Sequence, residues 1–344
     1  MQGLRRNRWI STGLMAMVAW GGSAIAIPAA TLTPPPVAPA SVTAPRIGQS
    51  RGLDYRIPAL QKDFTGSLWV GTWRGQLARL NPETGRVQAR LPLPDRTVEA
   101  LAQDRVGRIW VGTYSGLVRV DPRTNAITAQ NFSLPSSRVL SLLIDTRGFL
   151  WVGTDQGLAM VSPDRGQLIT TLQTLSGVSA NRMALDNDGH LWVGTLSGLT
   201  QVDTARAAER RVVSNIPGGI VQALALDAQG NLWVGSPEGL FVLDPTTGEV
   251  IRQVGSMFGR NVLTLAFDSN QALWVGTDGG LFTVNPYSGE IFGQVLGLPG
   301  GAVLSISPDT GNKVWVGTRE GLGWVSITSG RALPHGEFSN PSSL

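Results

Sequence analysis

The sequence predicts an all-β fold, a seven-bladed β-propeller of four-stranded antiparallel blades, from three series of residues that share a 41-residue repeat. Tryptophan returns at Trp69, Trp110, Trp151, Trp192, Trp233, Trp274 and Trp315. Aspartate stands six residues before each of them, from Asp63 to Asp309, and glycine six residues after, from Gly75 to Gly321. A period of about 40–45 carrying one tryptophan in β-rich surroundings marks propeller blades rather than helical solenoids.

Residues 138–173 show the four strands of one blade. "RVLSLLID" is rich in branched aliphatic residues, "DTRG" turns the chain, and "FLWVGT" is a second strand. "DQG" turns again before "LAMVSP", and "DRG" precedes the fourth strand, "QLITTLQ". Alternation is weak in the first two strands, as expected where both sheet faces are covered by neighbouring blades. First strands are expected to begin near Arg56, Thr97, Arg138, Ser179, Ile220, Asn261 and Ala302.

Each recurring letter has a structural reason. The aspartate can accept backbone N–H groups in the first turn, and the glycine three residues later (Gly66, Gly107, Gly148, Gly189, Gly230) supplies a positive φ. Gln271 and Asn312 replace it in the last two copies, where Asn270 or Gly311 is expected to take the left-handed conformation. Gly71 and its equivalents leave room for a neighbour to lie against the backbone. The glycine of "xxGL" is expected to close the next hairpin with a bulge. Burying one tryptophan at about 25 cal/mol/Å² stabilises by roughly 4–6 kcal/mol at most. The last blade can complete itself with "SGRALPHGEF" (329–338), closing the ring by packing; a strand swap using residues 46–51 is the alternative.

Before the repeats, Arg5, Arg6 and Arg8 precede an apolar run over residues 9–27, and Ala24-Ile25-Ala26 forms a small-x-small cleavage signal. Residues 1–26 therefore read as a secretory signal peptide, with an uncleaved anchor as the alternative. Residues 27–51 are a proline-rich linker of polyproline character, 52–338 the propeller, and 339–344 a C-terminal tail. Removing the three arginines lowers the formal charge from +4 to +1, so the rest of the chain has little net pull on polyanions. With no cysteine and only His190 and His335, disulfides, thiolate sites and multi-histidine metal sites are excluded or improbable.

The pattern "V..L..D..G.LWVGT..GL..V.P.TG" resembles the two-component-regulator propeller repeat of periplasmic sensor regions of hybrid histidine kinases, and more loosely streptogramin-lyase-type propellers. The resemblance covers residues 52–335 and implies fold more than function. The stretch after the last strand leaves no room for kinase domains, so a protein that is not itself a kinase is expected. The lyase resemblance implies a metal-assisted reaction using a histidine and acids on one face. His190 falls instead in an Asp-x-x-Gly hairpin, and His335 in the last outer strand.

Function is expected on the propeller face that varies. The Asp-x-x-Gly turns and "NPETG"-type turns share one monotonous face; the hairpins between second and third strands share the other with the blade entries. The variable hairpins supply Trp73, Arg74, Tyr114, Asp155, Gln156, Glu238, Asp278, Arg319 and Glu320. The entries supply Arg56, Glu99, Arg138, Asn181, Arg182, Gln222 and Asn261. Trp73 and Tyr114 are the aromatics suited to anchor a partner or stack on a ring, against the plainer reading that they cover apolar surface. "DNDG" (186–189) lacks the spaced acids of a calcium loop and reads as a turn. Glu99 is the one acidic first-strand candidate, without an evident partner for glycoside chemistry. The arginines look scattered along the sequence, which argues against nucleic acid. The expected protein is a monomeric, non-catalytic module of the cell envelope. It would bind a protein, peptide or small ligand, need no cofactor or metal, and touch a membrane only through its N-terminus. A metal-assisted lyase or glycan-active hydrolase is the alternative.

Overall fold

The computed structural model describes residues 55–95, 97–130 and 132–339. The signal-peptide and linker readings, and the strand swap through 46–51, lie outside them. Among the described residues no helix is long and apolar enough to cross a membrane.

Seven four-stranded antiparallel sheets follow one another along the chain. Blade 3 consists of Val139–Ile144, Leu150–Thr154, Gly157–Ser162 and Gln167–Leu172, close to the segments read from its sequence. First strands of adjacent blades touch in a closed cycle that includes blades 1 and 7, so they line a central channel. They start somewhat after the expected positions, at Ala59, Val98, Val139, Arg182, Ala223, Val262 and Val303. The incoming chain first bonds the preceding blade: Ile57, Val98, Ala180 and Val221 each donate N–H to the carbonyl of a threonine, Thr318, Thr72, Thr154 and Thr195, respectively.

No hub holds the ring together; seven apolar cores occupy seven seams. Trp110 of blade 2, for example, packs with Val139, Leu150 and Val152 of blade 3. The closing seam is built alike, with Trp315 and Phe338 against Ile57, Leu68 and Val70. The fourth strand of blade 7, Ala332–Pro334, comes from the C-terminal end of the chain, so the last blade completes itself. Gly112 and Gly153 show why a glycine follows each tryptophan by two: a Cβ there would overlap Val139 or Ser141, the wall of the first strands.

Each indole also needs a partner for its N–H. In blades 1–6 the aspartate six residues earlier accepts it through Oδ2 at 2.9–3.1 Å, while Oδ1 accepts backbone N–H groups of the turn. Blade 7 departs from this. Asp309 turns outward to accept from Ser269 of blade 6, and Trp315 donates to the Thr310 carbonyl at 3.2 Å. Two further expectations are corrected. Gln271 itself takes the left-handed conformation (φ 63°), and in blade 7 Gly311 and Asn312 both do, because the turn geometry outweighs side-chain preference. The hairpin between second and third strands pairs Thr154 with Gly157 without a register shift; the shifts lie at Gly153/Thr154 and Met160/Val161, in the flanking pairings.

The monotony of the opposite face also has a cause. A cation from one blade donates to the carbonyl at the Pro of the next blade's "NPETG"-type turn: Arg79 to Pro122, Arg119 to Pro163, Arg252 to Pro286, and Lys313 to Pro82 across the closure. Trp151→Ala empties one seam and is expected to cost about 3–5 kcal/mol. Urea unfolding checks this, and an unchanged midpoint would refute the wedge role.

Candidate functional site

The channel opens on the variable face into a cavity of about 510 Å³. Its floor is a ring with the repeat's own period: Pro58, Glu99, Leu140, Asn181, Gln222, Leu263 and Leu304, each the second residue of its blade entry. Two residues deeper the equivalent ring is apolar, including Leu60, Leu101, Leu142, Met183 and Ile306. Strand alternation produces this spacing: residues at 58 and 60 face the axis, while Ile57, Val98 and Val139, one residue before the floor ring, pack into the seams. Pro58, Leu140, Leu263 and Leu304 were missed from sequence, although applying the 41-residue step to Glu99 finds all four.

Eight expected residues line the cavity: Arg56, Trp73, Glu99, Arg138, Asn181, Arg182, Gln222 and Arg319. Two hairpins contribute through their first variable position, Trp73 and Arg319, whose N–H groups bond the entry strand at the Arg56 and Ala302 carbonyls. The second position points to solvent, which leaves Arg74, Gln156, Glu238 and Glu320 exposed and outside the cavity. Asp278 is exposed as well, and neither Asp155 nor Asn261 lines the cavity, although each buries an unpaired Oδ1 in the rim.

Trp73 and Tyr114 play a different part from the one expected. Their rings meet edge to face at 6.1 Å; the Arg56 guanidinium lies 3.9 Å from the Trp73 centroid and that of Arg138 4.4 Å from Tyr114. Stacking of this kind holds a guanidinium plane against the ring. Each ring thus carries one arginine against it. The arginines that look scattered in sequence converge here, Arg56 and Arg138 on this aromatic pair and Arg182 and Arg319 elsewhere on the cavity wall.

Arg182 breaks the repeat. It pairs with Gly194 where the other blades set Ala59, Ala100, Ser141, Ala223, Thr264 and Ser305 against the corresponding glycine. Its guanidinium donates to the Asn181 carbonyl at 3.0 Å. Burial pushes the Glu99 carboxyl up, against the opposing pull of Arg182, Arg138 and Arg56. Burial likewise lowers Arg182, which Glu99 partly offsets. Four arginines therefore face one carboxylate in this cavity.

Neither histidine lies in it. His335 donates through Nε2 to the Gly85 carbonyl, 2.7 Å away, between Trp315 and Phe338. Asp186, Asp188 and His190 bring ligand-type atoms within 4.8 Å of one another in the blade 4 turn. The Asp186 oxygens there already serve Trp192, Gln201 and the turn, and the Arg210 guanidinium contacts the His190 ring. A cation would have to displace these partners, so the cluster fits a turn better than a metal centre.

Residues 92–115, 133–156, 174–197 and 215–238 match the family model described as two component regulator propeller. These four segments, in blades 2 to 5, are similar to two-component regulator propeller repeats. Each matched segment of these repeats runs from the end of one blade, through the next entry, to the variable hairpin. No curated protein matches the chain in sequence. Among solved structures, it is similar to the extracellular domain of the putative hybrid two component system BT3049 from B. thetaiotaomicron, at 18% identity and a TM-score of 0.65. That match covers 81% of this chain and 40% of the other, so the repeats span about two fifths of that domain. It is also similar to virginiamycin B lyase from Staphylococcus aureus, at 13% identity and a TM-score of 0.66, over 78% of this chain and 93% of the lyase. The catalytically inactive lyase with quinupristin gives the same identity and TM-score over 77% and 92%. At these identities the likeness is one of fold.

Because the folded state raises the Glu99 pKa above its ordinary 4.5, it binds the proton more tightly than the unfolded chain does. The resulting stability is full below that ordinary value and is lost as pH rises through the raised one. Glu99→Gln keeps the neutral form, so it is expected to melt above wild type at neutral pH. The gap should close as pH falls below 4.5. Thermal melts across this range check the sign, and a gap independent of pH contradicts it.

Proposed function

We infer that this propeller is a non-catalytic binding module of the cell envelope, secreted or periplasmic, which takes a small ligand or the end of a peptide into the arginine-lined mouth of its channel. The observation that carries this reading is the coincidence of the cavity with the departures from the repeat. Residues that build blades recur with the period, whereas Glu99, Arg182 and Arg319 have no equivalents of the same type around the ring, and the equivalent pair Arg56 and Arg138 occurs in only two of the seven blades. A volume of about 510 Å³ suits a small molecule or a few residues of peptide. The N-terminal basic and apolar run, and the fold shared with the extracellular domain of a putative hybrid two component system, support the envelope address.

One observation favours the lyase or hydrolase alternative: a buried carboxylate, Glu99, sits among arginines. The cavity supplies neither a histidine nor a second acid to work with it, so binding without chemistry is the better account.

Asn181→Trp narrows the floor of the mouth, giving up the Asn181 side chain's bonds to the Val221 carbonyl and the Ser179 hydroxyl. Thermal-shift screening of the purified protein against envelope metabolites and short peptides should find ligands that stabilise wild type and not this variant. No ligand, or ligands that stabilise both proteins equally, would overturn the mouth as the binding site.

A further inference from the structure

The character of the mouth narrows what it can hold. Three observations bear on this. The cavity wall carries Arg56, Arg138, Arg182 and Arg319 against the single carboxylate of Glu99, although the chain beyond its N-terminal arginines is nearly neutral. Charge of one sign has been concentrated in one concave place, where low-dielectric walls strengthen its field.

The guanidinium groups are also held in place. Arg56 and Arg138 lie on Trp73 and Tyr114, which brace each other, so two planar forks are oriented before any ligand arrives. Arg138 keeps its Nε buried and without a hydrogen-bond partner, and the Gln222 Oε1 is likewise buried and unpaired. Buried polar atoms are seldom left so, and an unmet donor and acceptor on one cavity mark the place of a missing partner. No ion pair to a carboxylate satisfies Arg138, Arg182 or Arg319 among the described residues.

Arg182 supplies the third observation. Six blades place alanine, serine or threonine at its position, and replacing a small residue there by a half-buried guanidinium disfavours folding unless something offsets the desolvation. An anion in the mouth supplies that offset.

We propose that the mouth is a binding site for a small oxyanion of two or more negative charges, a polycarboxylate or a phosphate, held by Arg138, Arg182 and Arg319 and positioned by the aromatic-braced arginine pair. Planar carboxylate and tetrahedral phosphate both accept the paired N–H groups of a guanidinium fork, so the shared chemistry is the charged oxygen cluster. The Gln222 oxygen adds room for one donor on the ligand. Trp73 and Tyr114 act as positioning residues, through the arginines they support.

This inference rests on the mouth being the binding site, and its test separates the two. Thermal unfolding of the purified protein would be followed with citrate, with inorganic pyrophosphate and with uncharged triethyl citrate, at ionic strength matched by sodium chloride. Citrate or pyrophosphate is expected to raise the melting temperature by several degrees, and triethyl citrate not to. A shift with citrate alone assigns a polycarboxylate, one with pyrophosphate alone a phosphate, and one with both the general oxyanion. Arg319→Gln, at an exposed position where folding is insensitive, should reduce the shift, and Arg138→Gln together with Arg319→Gln should abolish it. No shift with either anion, or an equal shift in the double variant, overturns the proposal. Uncharged ligands that still stabilise wild type and not Asn181→Trp would leave the binding module standing while removing its anion specificity.

Discussion

Placing an indole between two sheets buries a large apolar surface but strands one N–H, and an unmet buried donor costs about 1–3 kcal/mol. The aspartate at the end of the first strand removes that cost in six blades and uses its second oxygen to shape the turn that follows. Core, turn and strand spacing are thereby tied to one pair of residues six apart. Once that pair is repeated, glycine must stand two residues beyond the tryptophan so that the next blade's entry can approach, and the Thr carbonyl beyond it bonds that entry. The 41-residue period is the length of chain needed to complete this circuit once.

A ring made only of seams leaves its axis open, and that is where function becomes compatible with repetition. Residues facing the channel contribute little to the seams, so Pro58, Glu99, Asn181 and Gln222 can differ while Ile57, Val98, Ala180 and Val221 remain small or branched and apolar. Arg182 goes further, because it occupies a position at which the seam rule prefers a small side chain.

The fold was legible because its determinants are periodic: tryptophan, aspartate and glycine recur at one step, and the strands fall where the aliphatic runs lie. The rim was legible only by subtraction. Sequence reasoning found both positions of each variable hairpin but had no means of telling that only Trp73 and Arg319 among them line the cavity, since that depends on how each hairpin sits against its entry strand. Nor could it see Arg56 against Trp73 or Arg138 against Tyr114, pairs separated by 17 and 24 residues. The seam cations were hidden for another reason. Arg79, Arg252 and Lys313 come from different strands and reach equivalent carbonyls, so the 41-residue step does not connect them.

The central claim is that repeated residues carry the fold and departures from the repeat carry the site at some cost to stability. Arg182→Ala restores the small residue found at Ala59, Ala100 and Ala223 and removes a half-buried guanidinium without opening a seam. Its urea unfolding midpoint, measured without added anions, tests the claim most directly. The account predicts a midpoint equal to or above that of wild type; a clear fall would show Arg182 to be part of the scaffold and would contradict it.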